Sequence, residues 1–256
     1  TLERWYIRKG IEGSNPSLSA MKKICMLMPG NPAVESYYQS WIEEIEERNP
    51  EVSVTYATSY VFFDKKLNYI EYDHALREHY EKILLALATY QKVTIIAHSV
   101  GSYFALRLLE KHPEKIEKII MLFPYIGPST IRSLSFVSIP YLIDRFFPLV
   151  EIVSKCKNMF SIWDKDVRNI SSKQLNACLR FGVRQCEYFN KYTLDLRYML
   201  ANKEKIDFLY RDNDPWCPRE TIESLKPLSN HKKTELPHDF ITRKEHRIKM
   251  IKEIKL

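Results

Sequence analysis

The stretch Val93-Thr94-Ile95-Ile96-Ala97-His98-Ser99-Val100-Gly101-Ser102 decides how the fold is read. Residues 93–97 form a continuous, β-branched run, the pattern of a strand buried on both faces of a parallel sheet. Residues 103–111 follow at helical spacing. A serine at such a strand-to-helix turn holds its hydroxyl exposed above the sheet, and the tight turn demands small residues two positions to either side, here Ala97 and Gly101. Glycine is the usual residue at the first of these positions, and Ala97 departs from it by one methyl group. Taken alone, Ser99 also fits an ordinary helix N-cap, so the remainder of the chain has to separate the two readings.

Upstream, residues 22–29 (KKICMLMP) form a short apolar run closed by Pro29-Gly30, a strand followed by a turn. Residues 36–48 place Tyr37, Trp41, Ile42 and Ile45 on one helical face, with Ser36 as N-cap. Residues 52–60 read as a strand and residues 69–90 as a long amphipathic helix. Downstream, residues 116–123 form another strand. Residues 124–202 break the alternation, are rich in aromatics and leucine, and contain Pro124, Pro128, Pro140 and Pro148. Strand 205–211, helix 219–225, strand 231–236 and helix 243–255 then resume it, the last laying Ile248, Ile251 and Ile254 on the core. The order β-α-β-α-β-α-β predicts an α/β fold: a mostly parallel central sheet flanked by helices, with right-handed crossovers and a helical cap insertion at about 124–202. Residues 21–256 are expected to form one domain.

A serine hydroxyl is too weak an acid to attack a carbonyl unaided and needs a base. In one known arrangement the partners follow in the order Ser, Asp or Glu, His. Asp214 comes just after the strand at 205–211, and His238 just after the strand at 231–236. Both therefore fall at carboxyl ends of strands, the edge where ligands bind in such sheets. Asp212 is the rival acid, but Pro215 fixes a turn directly after Asp214. His98 is the rival base, although neighbouring strand residues point to opposite faces, which favours a packing role beside the turn. The turn Pro29-Gly30-Asn31-Pro32 ends the first strand at the same edge. Pro32 has no N–H, so Asn31 N–H and Val100 N–H are the expected donors to an oxyanion. Only 6 glycines occur in the chain, where average usage of about 7% would give about 18. Two of them, Gly30 and Gly101, support these two turns.

The 256 residues are 45% hydrophobic and 28% charged, which excludes disorder and is long enough for a sizeable core. The net charge of +7 is spread through the chain. It lacks a Lys/Arg cluster interleaved with stacking aromatics, so no nucleic-acid partner is expected. The five cysteines, Cys25, Cys156, Cys178, Cys186 and Cys217, include no C-x-x-C pair. They point to a reducing, cytoplasmic setting and to no structural metal.

Residues 1–20 lack periodicity and an apolar leader region. Gly13-Ser14-Asn15-Pro16 is what the tRNA T-arm sequence GGTTCGAATCCC encodes in one frame. The expectation is that Met21 is the natural start and that the preceding residues are a non-native or disordered extension. Residues 133–153 are about as long as a membrane span, but Asp144-Arg145 near the centre and Pro140 and Pro148 break it. Two short apolar helices are expected there, covering the site and either dipping into a lipid surface or packing on the cap itself.

Together these residues resemble α/β-hydrolase fold proteins and, within them, the lipid-droplet-associated hydrolase family. The resemblance is carried by Met28-Pro29-Gly30-Asn31-Pro32 with Tyr37-Tyr38, His98-Ser99-Val100-Gly101, Leu122-Phe123-Pro124, Asp214 followed by Trp216-Cys217-Pro218, and His238 followed by Phe240-Ile241. Ala33, Asp239 and the cap depart from the family pattern. The resemblance implies an ester or lipid-ester hydrolase that works near a lipid surface without a cofactor, on a small-molecule or lipid ester substrate. The expected machinery is Ser99, Asp214 and His238 with Asn31 and Val100. A catalytically silent scaffold that binds a lipid or a protein partner is the alternative, because fold does not fix function.

Overall fold

The computed structural model describes residues 22–30, 35–57, 81, 84–85, 92–126, 194–214, 216–217 and 219–256. Asn31, the side chain of Ser36, most of the helix expected at 69–90, the extension at 1–20 and the segment at 127–193 lie outside them. The described elements are β1 (Lys23–Met28), α1 (Glu35–Arg48), β2 (Val52–Tyr56), β3 (Val93–His98), α2 (Gly101–Lys111), β4 (Ile116–Leu122), α3 (Leu196–Ala201), β5 (Ile206–Tyr210), α4 (Arg219–Leu225), β6 (Asn230–Lys233) and α5 (Lys244–Glu253).

The six strands form one sheet in the order β2-β1-β3-β4-β5-β6, and all five pairings are parallel. The chain runs outward from β1 to β2, returns past β1 to β3, and then proceeds through β4, β5 and β6. The crevice between the carboxyl ends of β1 and β3 is therefore the point where strand order reverses, the usual ligand position in an open parallel sheet. Gly30 and Ser99 both stand at that point.

Side-chain alternation divides the core between the two faces of the sheet. Met26, Met28, Ile95, Ala97 and Met121 join Tyr103, Phe104 and Leu108 of α2 on one side. Cys25, Leu27, Ile96, Ile120 and Leu122 join Tyr38, Trp41 and Ile45 of α1, Phe240, and Met250 and Ile251 of α5 on the other. Every residue of β3 is buried, as a central parallel strand requires. The edge strand β6 is exposed along its length and ends in Lys232 and Lys233, charges that discourage pairing with another chain.

The strand expected at 231–236 is shorter and begins one residue earlier. In α5, Arg247, Met250 and Ile251 are buried and Ile248 is only partly so. The Arg247 guanidinium is held there by both oxygens of Glu44 on α1, at 3.0 Å each, and by the Ile241 carbonyl at 2.9 Å.

Candidate active site

β3 ends at His98 and α2 begins at Gly101, leaving two residues to reverse the chain. Ser99 does so with φ of 51°, in the left-handed region that side chains disfavour. Its N–H donates to the Leu122 carbonyl (2.9 Å), and its own carbonyl accepts from the N–H groups of Ser102 (3.0 Å) and Tyr125 (3.1 Å). A Cβ on Gly101 would lie 2.5 Å from the Met28 carbonyl oxygen, and one on Gly30 would lie 2.9 Å from Ser99 Cβ. The two glycines thus let the chain at the end of β1, from Met28 to Gly30, press directly on the serine turn. Phe123 (φ 50°) and Asn213 (φ 59°) are also left-handed. All three left-handed residues follow β3, β4 or β5 at one sheet edge; the conformation costs about 1–2 kcal/mol at Ser99 and at Phe123 and less at Asn213, whose short polar side chain tolerates it.

Asp214 lies beyond the left-handed Asn213. Its Oδ1 accepts from Trp216 N–H at 2.8 Å, a side-chain turn of the kind an Asp-Pro pair favours, and its Oδ2 accepts from His238 Nδ1 at 2.8 Å. The Asp214 side chain is 1% exposed and that of His238 15%. With Nδ1 donating to the carboxylate, neutral His238 carries its lone pair on Nε2, which has no hydrogen-bond partner among the described residues. Phe123 packs against the imidazole in a tilted arrangement, with ring centroids 5.5 Å apart. Asp212 instead faces solvent and pairs with Lys233 Nζ at 2.7 Å, an interaction that lowers its pKa.

His98 is buried, with both ring nitrogens engaged. Nδ1 meets Tyr38 Oη at 2.7 Å, and Nε2 meets the His238 carbonyl at 3.1 Å. Burial, followed by the nearby His238 ring, holds its pKa well below the usual histidine value. With both nitrogens committed and the ring neutral, it has no free base to offer. Cys217 Sγ donates to the Pro124 carbonyl at 2.7 Å, tying the acid-bearing turn to the end of β4, and burial raises its thiol pKa.

The structure therefore brings Ser99, Asp214, His238, Gly30 and Gly101 to one sheet edge. Val100 sits at the N-terminal end of α2 in helical geometry, and no backbone acceptor takes its N–H among the described residues. Among the described residues no group of three or more His, Cys, Asp and Glu side chains could hold a metal ion. Neither the role of Tyr38 as a hydrogen-bonding hub nor the strain at Phe123 is visible in the sequence. The only local hint of the former is a tyrosine at the start of a helix that must pack against the strand end.

A parallel sheet carrying a strained serine between its central strand and a helix is the framework of the α/β-hydrolase fold. Solved structures agree with it: an esterase from Thermogutta terrifontis matches with a TM-score of 0.64 at 14% identity, covering 91% of this chain and 89% of that one. A bromoperoxidase from Bacillus anthracis matches with a TM-score of 0.62 at 16% identity, covering 91% of each chain. Within that fold the chain belongs to the lipid-droplet associated hydrolase family, whose model matches residues 21–162. The lipid droplet-associated hydrolase of Homo sapiens is 24% identical over 88% of this chain and 82% of its own length, and that of Pongo abelii is 24% identical over 89% and 82%. The family match takes in Gly30, Tyr38, His98 and Ser99 and ends before Asp214 and His238. Among the described residues no helix is long and apolar enough to cross a membrane.

Proposed function

We propose that this member of a hydrolase family is a serine hydrolase that cleaves carboxylic esters, lipid esters in particular, through an acyl-enzyme. The observation that carries the reading is the 2.8 Å contact between His238 Nδ1 and Asp214, which leaves Nε2 uncommitted at the edge where Ser99 is held in a strained turn. Ser99 Oγ attacks the ester carbonyl carbon while His238 Nε2 takes its proton. Asp214 fixes the imidazole tautomer and stabilises the imidazolium without accepting that proton. The oxyanion of the tetrahedral intermediate accepts from the N–H groups of Val100 and Asn31. Collapse expels the alcohol, which takes the proton from His238. Water then cleaves the acyl-enzyme by the same steps in reverse, and no cofactor enters.

Residues 124–202 serve in this reading as a cap over the site within one domain spanning 21–256. The lipid-droplet name of the relatives supports a substrate presented at a lipid surface, with cytoplasmic protein meeting that surface peripherally through the apolar segment at 133–153. Flotation with vesicles checks this part: the intact chain should rise with anionic vesicles more than Phe146→Asp/Phe147→Asp, and equal flotation of the two removes the segment from the contact.

The catalytic part is tested with a fluorophosphonate probe and a panel of p-nitrophenyl esters of increasing chain length. The intact chain should be labelled at Ser99 and turn over esters, whereas Ser99→Ala should do neither. Equal labelling of both overturns the assignment. Lipid binding without turnover favours a silent scaffold.

A further inference from the structure

A buried hydrogen-bond relay joins the turn after β1 to the backbone of the proposed catalytic histidine. Gly30 N–H donates to Tyr38 Oη at 2.8 Å, Tyr38 Oη lies 2.7 Å from His98 Nδ1, and His98 Nε2 lies 3.1 Å from the His238 carbonyl oxygen. The direction of every bond is fixed by elementary chemistry. A carbonyl oxygen only accepts, so Nε2 carries the His98 proton. The neutral ring then offers a lone pair at Nδ1, and Tyr38 donates its hydroxyl proton there. Gly30 N–H only donates, so Tyr38 Oη accepts from it. The relay therefore runs one way, from Gly30 to His238, and uses the donor and acceptor capacity of the His98 ring in full.

Its participants come from distant parts of the chain, 8, 60 and 140 residues apart across the three bonds. Tyr38 and His98 are 0% and 4% exposed, so a broken link leaves a buried polar atom without water to replace it. Packing holds the relay laterally: the His98 ring meets Phe240 at 5.4 Å, Phe123 at 6.4 Å and the His238 ring at 5.2 Å between centroids. Neither Tyr38 nor His98 is required by the Ser-Asp-His chemistry itself. What they touch is the Gly30 turn on one side, against which Ser99 Cβ packs, and the main chain of His238 on the other.

We infer that Tyr38 and His98 are positioning residues that set the His238 backbone and the Gly30 turn in register with Ser99, so that the acid–base and oxyanion sides of the site are held as one unit. The inference rests on the proposed serine-hydrolase reading. Misplacement of reacting groups by about 1 Å costs about 100-fold in rate, the scale on which such a relay acts.

The test measures ester turnover per site titrated by the fluorophosphonate probe, which removes unfolded protein from the count. Tyr38→Phe should lower kcat per titrated site by about 10- to 100-fold with KM little changed. The two His98 variants separate the links. Glutamine reaches as far as Nε2 and keeps a donor toward the His238 carbonyl, whereas asparagine reaches only as far as Nδ1, so His98→Gln should retain more turnover than His98→Asn. A second readout needs no turnover: the proton resonance of His238 Nδ1–H against Asp214 should shift or broaden in Tyr38→Phe. Variants that keep wild-type kcat per titrated site and an unchanged resonance, losing only thermal stability, overturn the positioning role and leave the serine-hydrolase reading intact. A wild-type chain that is neither labelled at Ser99 nor active on any ester overturns both.

Discussion

Two buried ionisable pairs among the described residues are built to opposite ends. Arg247 and Glu44 join α5 to α1 across 203 residues of sequence, and the guanidinium donates to both carboxylate oxygens and to the Ile241 carbonyl. Asp214 and His238 are 24 residues apart, and the carboxylate is buried more deeply still, yet one imidazole nitrogen is left over. A bidentate pair whose cation never gives up its proton can only hold the structure together. A pair built on an imidazole, anchored at Nδ1 and open at Nε2, has the chemistry to move a proton.

The largest expected effect separates the two directly. Asp214→Asn keeps the size of the side chain but offers His238 Nδ1 the wrong tautomer, and kcat should fall by about 10⁴-fold with far less change in thermal stability. If Asp212→Asn, rather than Asp214→Asn, abolishes turnover, the acid has been assigned to the wrong residue.

Arg247→Met inverts that pattern. Removing one partner of a buried pair leaves Glu44 uncompensated, at a cost of about 3–5 kcal/mol. At about 2–4 °C per kcal/mol for a chain of this size, the melting temperature should drop by about 6–20 °C. Turnover per titrated site should be unchanged, and a comparable loss of kcat would show that the α1–α5 seam is coupled to the site.

The central features were legible in the sequence because each is local. A doubly buried parallel strand reads as a continuous apolar run, and a tight turn announces itself through Ala97, Ser99 and Gly101. Pro215 directs attention to Asp214, which the structure seats against His238 while Asp212 faces Lys233. What escaped was non-local. Periodicity alone puts Ile248 on the core face of α5, whereas the structure buries Arg247, because its partner Glu44 packs alongside from the other end of the chain. The alternation of β3 gives His98 a packing place beside the turn, but nothing within its own strand reveals that Tyr38 and the His238 carbonyl take both its nitrogens.

His98 also gives the comparison a pH axis. Its folded pKa lies well below the usual 6.5, so below that value the unfolded chain binds a proton that the folded chain refuses. Stability is therefore fully present above about pH 6.5 and falls as the pH drops toward the folded pKa, by up to about 1.4 kcal/mol per unit. Thermal melts at about pH 7.5 and about pH 5.5 should differ by about 3–5 °C more in the wild type than in His98→Gln. An equal slope in both would place the acid sensitivity elsewhere.

The smallest effect concerns the strain at Ser99. A left-handed φ of 51° forces its Cβ against the backbone, and for a side-chain-bearing residue this costs about 1–2 kcal/mol. Ser99→Ala removes the hydroxyl but keeps the Cβ, whereas Ser99→Gly removes both. The second variant gains the relief of strain and loses a part of it to the greater freedom of glycine in the unfolded chain, about 0.4–1 kcal/mol. Ser99→Gly should therefore be more stable than Ser99→Ala by about 0.5–1 kcal/mol, a difference of about 1–4 °C in melting temperature. Both should be inactive, so the comparison isolates strain from chemistry. A glycine variant that melts at or below the alanine variant would mean that the turn holds no recoverable strain, and that Ser99 is kept in place by the hydrogen bonds to Leu122, Ser102 and Tyr125 alone.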